Sequence, residues 1–200
     1  MRIGARKIAL ISALTALAVS LRLAKHAMAG VVQFVNVPLA LSMASGLLFG
    51  VTTGFGVGLL AFTISDAILG LGPWTPVDAV AAALAGGACG LLSGKAVQRT
   101  EMFVLTFLLT FAYDVATSTI LYALFGLNLY YAFIAGIVGL FLPVMGGYLL
   151  AVGPVTELLT SLLTIAIVEG VRRRLPVIPH EGGGWVRRRL PDSPVRGKGT

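Results

Sequence analysis

Residues 101–125 read EMFVLTFLLTFAYDVATSTILYALF, an apolar run in which Asp114 is the only charge after the first position. A bilayer core is crossed by about 20 apolar helical residues, so this stretch predicts a transmembrane helix. A carboxylate in hydrocarbon is costly unless it is paired or faces a watery cavity. Asp114 therefore marks a polar site within a membrane protein.

The composition of the whole chain agrees with this stretch. Hydrophobic residues make up 57% of the 200 positions and charged residues only 12%, with a mean hydropathy of +0.93. These values predict an all-α membrane protein. The other predicted helices are Ile8–Leu23, Pro38–Phe49, Gly54–Leu71, Pro76–Ala96 and Pro154–Val171, with a further apolar segment from Tyr130 to Val152.

The basic residues predict six crossings with both termini in the cytoplasm of a multi-pass cell-membrane protein. Six crossings put Arg2, Arg6, Lys7, Lys95, Arg99 and Arg172–Arg174 on one side and leave Arg22 and Lys25 on the other. One apolar segment must then dip without crossing. The first choice is 130–152, which is broken by Pro143 and the Gly146-Gly147 pair, and the second is 38–49.

The first helix has some features of a cleavable signal peptide, because basic residues precede its apolar run and Ala27-Met28-Ala29 follows it. Arg22 and Lys25 lie between the apolar core and that cleavage point, where such signals seldom carry charge. We therefore expect the helix to be retained.

The chain divides into a transmembrane domain, residues 1–174, and a basic tail, residues 175–200. Beyond Val171 lie eight basic and two acidic residues, which account for +6 of the net charge of +7. A basic segment directly after a membrane helix is typical of a topological anchor that contacts anionic lipid, so nucleic acid is not expected as a partner. The composition of the tail predicts disorder.

Polar and aromatic residues converge at the outer face of this topology. A rise of about 1.5 Å per residue puts Asp66 and Glu157 near that face and Asp114 near mid-membrane. The predicted substrate-binding residues are Asn36, Asp66, Trp74, Asp114, Tyr130, Tyr131 and Glu157.

Each of these residues also has a purely structural interpretation. Glu157 suits a helix amino terminus, and Asp66 could pair with Arg22 or Lys25. The aromatic residues could belong to an interfacial belt. Three membrane carboxylates with few nearby cations favour a cationic or hydrogen-bond-rich ligand, or a proton.

Catalysis is not expected. The sequence has no Gly-x-Ser-x-Gly elbow, no phosphate-binding loop and no metal-ligand spacing, and Cys89 is its single cysteine. We therefore expect neither an enzyme nor a cofactor nor a bound metal.

Small residues recur every four positions in three rows, which favours close helix packing. The rows are Gly46, Gly50, Gly54 and Gly58; Gly86, Gly90 and Gly94; and Ala5, Ala9 and Ala13. A turn is predicted at 51–53, so Gly50 and Gly54 are expected to serve that turn. The alanine row is either an internal packing surface or a docking groove for another membrane subunit.

The alanine row, the glycine-rich helices with ISDAILGLGPWTP at 64–76, and FAYDVATS at 111–118 together resemble the S components of energy-coupling factor (ECF) transporters. The resemblance covers Arg6 to Arg174. It implies six helices, a vitamin-like ligand bound near the extracellular face, a membrane coupling subunit and two ATPase subunits as partners, and Ala9 and Ala13 as the contact with that coupling subunit.

The chain departs from many members of this family where the last helix begins. Those members carry a His or Asn near the pocket, whereas LPVMGGYLLAVGPVTELL at 142–159 offers only Tyr148, Thr156 and Glu157. The expected function is capture of a small vitamin-like molecule for uptake driven by partner ATPases. The alternatives are a self-contained proton- or cation-coupled carrier and a non-transporting membrane scaffold.

Overall fold

A computed structural model describes residues 4–29, 34–141, 153–174, 177–179 and 185–187. These residues form seven helices and two short strands. They are α1 (Ala5–Ala29), α2 (Val37–Phe49), α3 (Val51–Leu69), α4 (Trp74–Gly90), α5 (Arg99–Leu124), α6 (Leu129–Phe141), α7 (Pro154–Arg174), β1 (Val177–Pro179) and β2 (Trp185–Arg187).

Four of the helices, α1, α3, α5 and α7, are long and apolar enough to cross a membrane. The others are shorter than the roughly 20 residues of a full crossing, at 13 residues in α2 and α6 and 17 in α4. Large apolar side chains such as Leu84 and Leu108 are more than half exposed on the outside of the bundle, as lipid-facing residues are. The fold is consistent with a multi-pass α-helical membrane protein, and six crossings stay a prediction.

Helices α2, α3 and α4 meet at backbone contact. Gly54 of α3 lies against Gly86 of α4, and Gly58 lies against Ala82, so these two helices run antiparallel. A Cβ at Gly54 would overlap the carbonyl oxygen of Gly86. The Ser42 hydroxyl of α2 lies within hydrogen-bond distance of two carbonyl oxygens, those of Gly54 and Ala82, each 3.0 Å away. The close helix packing predicted from the glycine rows is confirmed here.

A single residue, Gly50, joins α2 to α3. Its φ of 95° is a left-handed conformation that glycine adopts without steric cost, so one residue reverses the chain. The turn predicted at 51–53 is wrong, because those residues already form the first turn of α3. Gly54 was expected to belong to the turn, but it lies within α3 and packs against Gly86.

Contacts along the helices fix their relative directions. Ile11 lies against Gly56, and Arg22 pairs with Asp66, so α1 runs parallel to α3. Helix α2 returns from α3 through the Gly50 turn and therefore runs the opposite way.

Helix α7 runs parallel to α2. The Asn36 backbone N–H donates to Thr160 Oγ1 at 2.9 Å, and Thr164 Oγ1 donates to the Ala40 carbonyl oxygen at 3.5 Å. Helix α2 is antiparallel to α3, and α1 is parallel to α3, so α1 and α7 run in opposite directions. The start of α1 and the end of α7 therefore lie at the same end of the bundle. This end also carries the α4–α5 loop, and we call it the basic end. The opposite end, where α2 and α7 begin, is called the pocket end.

Helix α5 runs antiparallel to α7 and crosses from the basic end to the pocket end. Arg172 Nη1 lies 3.6 Å from Met102 Sδ at the basic end, while Thr117 and Thr156 border the same cavity at the pocket end. Three buried threonines on these helices, Thr106, Thr110 and Thr164, donate to carbonyl oxygens one turn earlier in their own helices, each at 2.8 Å. The hydroxyls of these three are thereby satisfied without water.

Helix α6 begins at the pocket end, where α5 ends. It reverses the direction of the chain and packs mainly against α5. Its Gly136 lies against Thr119, and its last turn reaches the start of α7, where a Cβ at Gly153 would overlap the Leu140 carbonyl oxygen. The dipping segment predicted at 130–152 thus contains α6. Its remaining residues, 142–152, with Pro143 and the Gly146-Gly147 pair, lie outside the described residues.

Two predicted helix starts differ from the structure. Helix α4 begins at Trp74 rather than at the predicted Pro76, and Thr75 Oγ1 accepts from the Gly72 N–H at 3.3 Å. Helix α5 begins at Arg99, two residues before the predicted stretch 101–125; Gln98 is its cap, and Glu101 accepts from the Gln98 N–H at 2.9 Å. Glu101 thereby completes a capping box in the first turn of α5.

The described parts of the tail, β1 and β2, pair as an antiparallel ribbon. The rest of residues 175–200 lies outside the described residues. The predicted disorder and cytoplasmic location of the tail therefore stay predictions.

Candidate functional site

A cavity of about 240 Å³ lies at the pocket end, between α1, α2, α3, α4, α5 and the start of α7. Its lining combines charged, polar and apolar side chains. The lining residues are Arg22, Lys25, Asn36, Val37, Pro38, Phe62, Asp78, Tyr113, Asp114, Thr117, Ser118, Leu121 and Thr156.

Helix α1 contributes the two cations of the cavity. Arg22 Nη1 lies 2.7 Å from Asp66 Oδ1 and also donates to the Ser65 hydroxyl, and its guanidinium carbon is 4.9 Å from the centre of the Phe62 ring. Asp66 itself is 1% exposed and does not line the cavity. Of the two partners that the sequence offered for this carboxylate, the structure selects Arg22.

Lys25 lies one turn further along α1. Its Nζ is 3.4 Å from the Val35 carbonyl oxygen and 5.9 Å from the centre of the Phe34 ring. The residues just before α2 therefore hold the lysine at the rim of the cavity.

Asn36 organises the wall that α2 presents. As the amino-terminal cap of α2, it accepts the Leu39 N–H on its Oδ1 at 3.2 Å. Tyr113 of α5 and Asp78 of α4 line the same cavity as Asn36. Three helices, α2, α5 and α4, therefore each bring a polar side chain to this cavity.

Two further carboxyl groups, Asp114 and Glu157, lie on the α5–α7 side. Asp114 lines the cavity and is half-buried, and Glu157 is 1% exposed behind it. The two are close enough to interact electrostatically. Among the described residues, Asp114 Oδ2 and Glu157 Oε1 have no hydrogen-bond partner. Such buried acceptors are costly unless a ligand, water or proton satisfies them.

The predicted site residues separate into three groups. Asn36 and Asp114 line the cavity; Asp66 and Glu157 are buried beside it. The aromatic residues Trp74, Tyr130 and Tyr131 lie outside the lining and are 42%, 68% and 65% exposed. Their positions match an interfacial belt at the pocket end, which was the structural interpretation available from the sequence.

Sequence reasoning missed Asp78 and Tyr113 as lining residues. Asp78 is the third residue of the predicted helix Pro76–Ala96, so the sequence already placed it near the outer end of that helix, but it was not counted among the site residues. Tyr113 carried no signal beyond its place next to Asp114.

Ala5, Ala9 and Ala13 are all exposed on α1. The stripe does not pack inside the described part of the bundle, so it remains available as the predicted docking surface. Within the described residues, no group of three or more His, Cys, Asp or Glu side chains is arranged to hold a metal ion.

No protein-family model matches the chain, and no curated protein matches it as a relative. The similarity to S components consequently depends on the motifs quoted above.

Proposed function

We propose that the protein is a membrane-embedded substrate-binding subunit that captures a small vitamin-like molecule and passes it to an ATP-driven coupling complex. The observation that supports this most is the cavity at the pocket end, to which six helices contribute polar or apolar side chains. Convergence of a few polar groups in an otherwise apolar bundle is the usual form of a small-molecule site.

The cavity sets the size of that molecule. Its volume of about 240 Å³ lies just below the ~300–1,000 Å³ of typical ligand pockets, so it suits a compact molecule. Phe62, Tyr113 and Leu121 offer apolar contacts, while Asn36 and Asp114 offer polar ones.

In the proposed topology the chain crosses the membrane six times, and both termini are cytoplasmic. Six helices alternate in direction, and α6, which begins at the pocket end, belongs to the segment 130–152 that is proposed to dip without crossing. Support comes from the basic end, which carries Lys7, Lys95, Arg99 and the Arg172–Arg174 run. An excess of basic residues is typical of the cytoplasmic side, so the pocket end would face outward.

The proposed partners are a membrane coupling subunit and two ATPase subunits. The exposed stripe of Ala5, Ala9 and Ala13 supports a docking surface on α1, because small residues let another helix approach closely. The chain has no phosphate-binding loop of its own, which fits a function in which other subunits hydrolyse ATP.

Proteoliposomes containing this protein alone test the proposal. They are incubated with a defined mixture of vitamins, and retained molecules are identified by mass spectrometry. We expect one compact molecule to bind at about one per chain without accumulating in the lumen. Asp114→Asn should abolish this binding, whereas Glu101→Gln removes an equal charge at the basic end and should preserve it. Absence of any retained molecule would support a non-transporting scaffold instead.

A self-contained carrier is the second candidate, favoured by the unpartnered oxygens of Asp114 and Glu157, which could take up protons. The same vesicles distinguish it. Accumulation of the molecule under an imposed proton gradient, without any ATPase, would establish the carrier and exclude the binding subunit.

A further inference from the structure

The charges around the cavity are unbalanced. Four carboxyl groups lie at the cavity, with Asp78 and Asp114 in its lining and Asp66 and Glu157 buried beside it. The cations at the cavity are Arg22 and Lys25. Full ionisation would therefore leave two negative charges at the pocket end.

The direct ion pair of the arginine is made with α3. Its guanidinium contacts Asp66 Oδ1, the Ser65 hydroxyl and the face of Phe62, all on α3. Asp78 and Asp114 line the cavity from α4 and α5, and Arg22 acts on Asp78 only through longer-range electrostatics. The carboxylates of α4 and α5 are therefore not the direct partners of the arginine.

The buried carboxyl behind this wall gives an independent indication of a missing partner. Glu157 is 1% exposed, follows the lining residue Thr156, and has an Oε1 with no hydrogen-bond partner among the described residues. Asp114 Oδ2, in the wall of the cavity, also has no hydrogen-bond partner among the described residues. A buried anion without a partner is strongly disfavoured, so a positive group at this wall would stabilise the site.

We propose that the ligand is a compact organic cation, a protonated amine or a quaternary ammonium, bound against Asp78 and Asp114. This inference depends on the proposed binding function and specifies its substrate class. The ring of Tyr113, which also lines the cavity, adds an aromatic surface of the kind that attracts organic cations. An anionic molecule would instead meet two carboxylates.

A charge-matched series of probes tests the proposal on the full chain in nanodiscs. Choline, its neutral isostere 3,3-dimethylbutan-1-ol and the anion 3,3-dimethylbutanoate share one branched skeleton and differ in charge. Affinities are measured at matched ionic strength by isothermal titration calorimetry. We expect choline to bind at least about tenfold more tightly than the neutral isostere, and the anion to bind least.

Variants locate the preference. Asp114→Asn and Asp78→Asn should each reduce the preference for choline over its isostere, while Glu101→Gln, at the basic end, should leave it unchanged. Melting temperatures of all variants show whether they fold. Retention of the full preference in both pocket variants would overturn the assignment to this wall.

The remaining outcomes separate this inference from the proposed function. Equal binding of choline and its isostere, or tighter binding of the anion, would overturn the cation class and leave the binding function in place. If none of the three probes binds to folded wild-type protein, the cation class is rejected. If the vitamin mixture also leaves nothing on the protein, the binding function is rejected with it.

Discussion

At the residue scale, the Arg22–Asp66 pair shows why a membrane carboxylate is not automatically a ligand-binding group. Asp66 is enclosed and its Oδ1 is 2.7 Å from the guanidinium, so its first contribution is to hold α1 against α3. Among the described residues each acid has one carboxylate oxygen without a hydrogen-bond partner, but only Asp114 lines the cavity. The two acids, which are similar in the sequence, therefore have different consequences when they are replaced.

We expect Asp66→Asn to destabilise the protein, because it leaves the largely buried Arg22 without its counter-charge. Breaking a buried ion pair on one side typically costs about 3–5 kcal/mol. The double variant Arg22→Gln with Asp66→Asn removes both charges of the pair and should recover much of that loss. Thermal unfolding in detergent measures both. A double variant that is no more stable than Asp66→Asn would contradict a pairing between these residues.

The depth of a residue in the membrane could be predicted from the sequence, whereas the side of the helix on which its side chain lies could not. Counting residues along a helix placed Asp66 and Glu157 near the outer face and Asp114 near mid-membrane, because the rise per residue is nearly constant. Which of them faces the cavity depends on how each helix is rotated against its neighbours. That rotation follows from packing at contacts such as Gly54 against Gly86, which a single sequence does not specify.

At the element scale, the helices α2, α3 and α4 are positioned by glycine backbone contact. Their shared contact brings the start of α2 and the start of α4 together at the pocket end, and so places Asn36 and Asp78 on one cavity. The glycine rows were interpreted correctly as tight packing. The exact turn was not, because one left-handed glycine at position 50 replaces the longer loop that was expected.

Gly86→Ala is expected to destabilise the bundle, since its Cβ would overlap the Ser42 hydroxyl and lie 2.6 Å from the Gly54 carbonyl oxygen. Overpacking of this kind costs about 1–3 kcal/mol. Gly170→Ala in α7 is the matched control, because nothing lies within 4 Å of its Cβ. Thermal unfolding should show a lower melting temperature for the first variant only. Equal melting temperatures would argue against the three-helix contact.

At the scale of the whole molecule, the alternating helix directions and the segregation of basic residues support six crossings with an outward pocket. The dipping segment was predicted from the even number of crossings that the distribution of basic residues requires, and from the Pro and Gly residues of the segment. The structure adds the contact between the Leu140 carbonyl oxygen and Gly153, so the end of α6 lies beside the start of α7.

Cysteine labelling in intact cells tests this topology. In a Cys89→Ala background, Leu71→Cys and Leu127→Cys at the pocket end should react with a membrane-impermeant maleimide from outside. Lys95→Cys, in the loop at the basic end, should react only after permeabilisation. The reverse pattern, or labelling of both ends from one side of the membrane, would contradict the six-crossing orientation.

The most direct test of the cavity is to fill it with a large side chain and to count the bound molecules per chain by native mass spectrometry. Ser118 lines the cavity on α5, and Ala116, two residues away on the same helix, is exposed on the outside. We expect wild-type protein and Ala116→Trp to retain one compact molecule per chain, and Ser118→Trp, with an unchanged melting temperature, to retain none. Retention of the same molecule by folded Ser118→Trp would show that the ligand binds elsewhere and that the cavity is not the site.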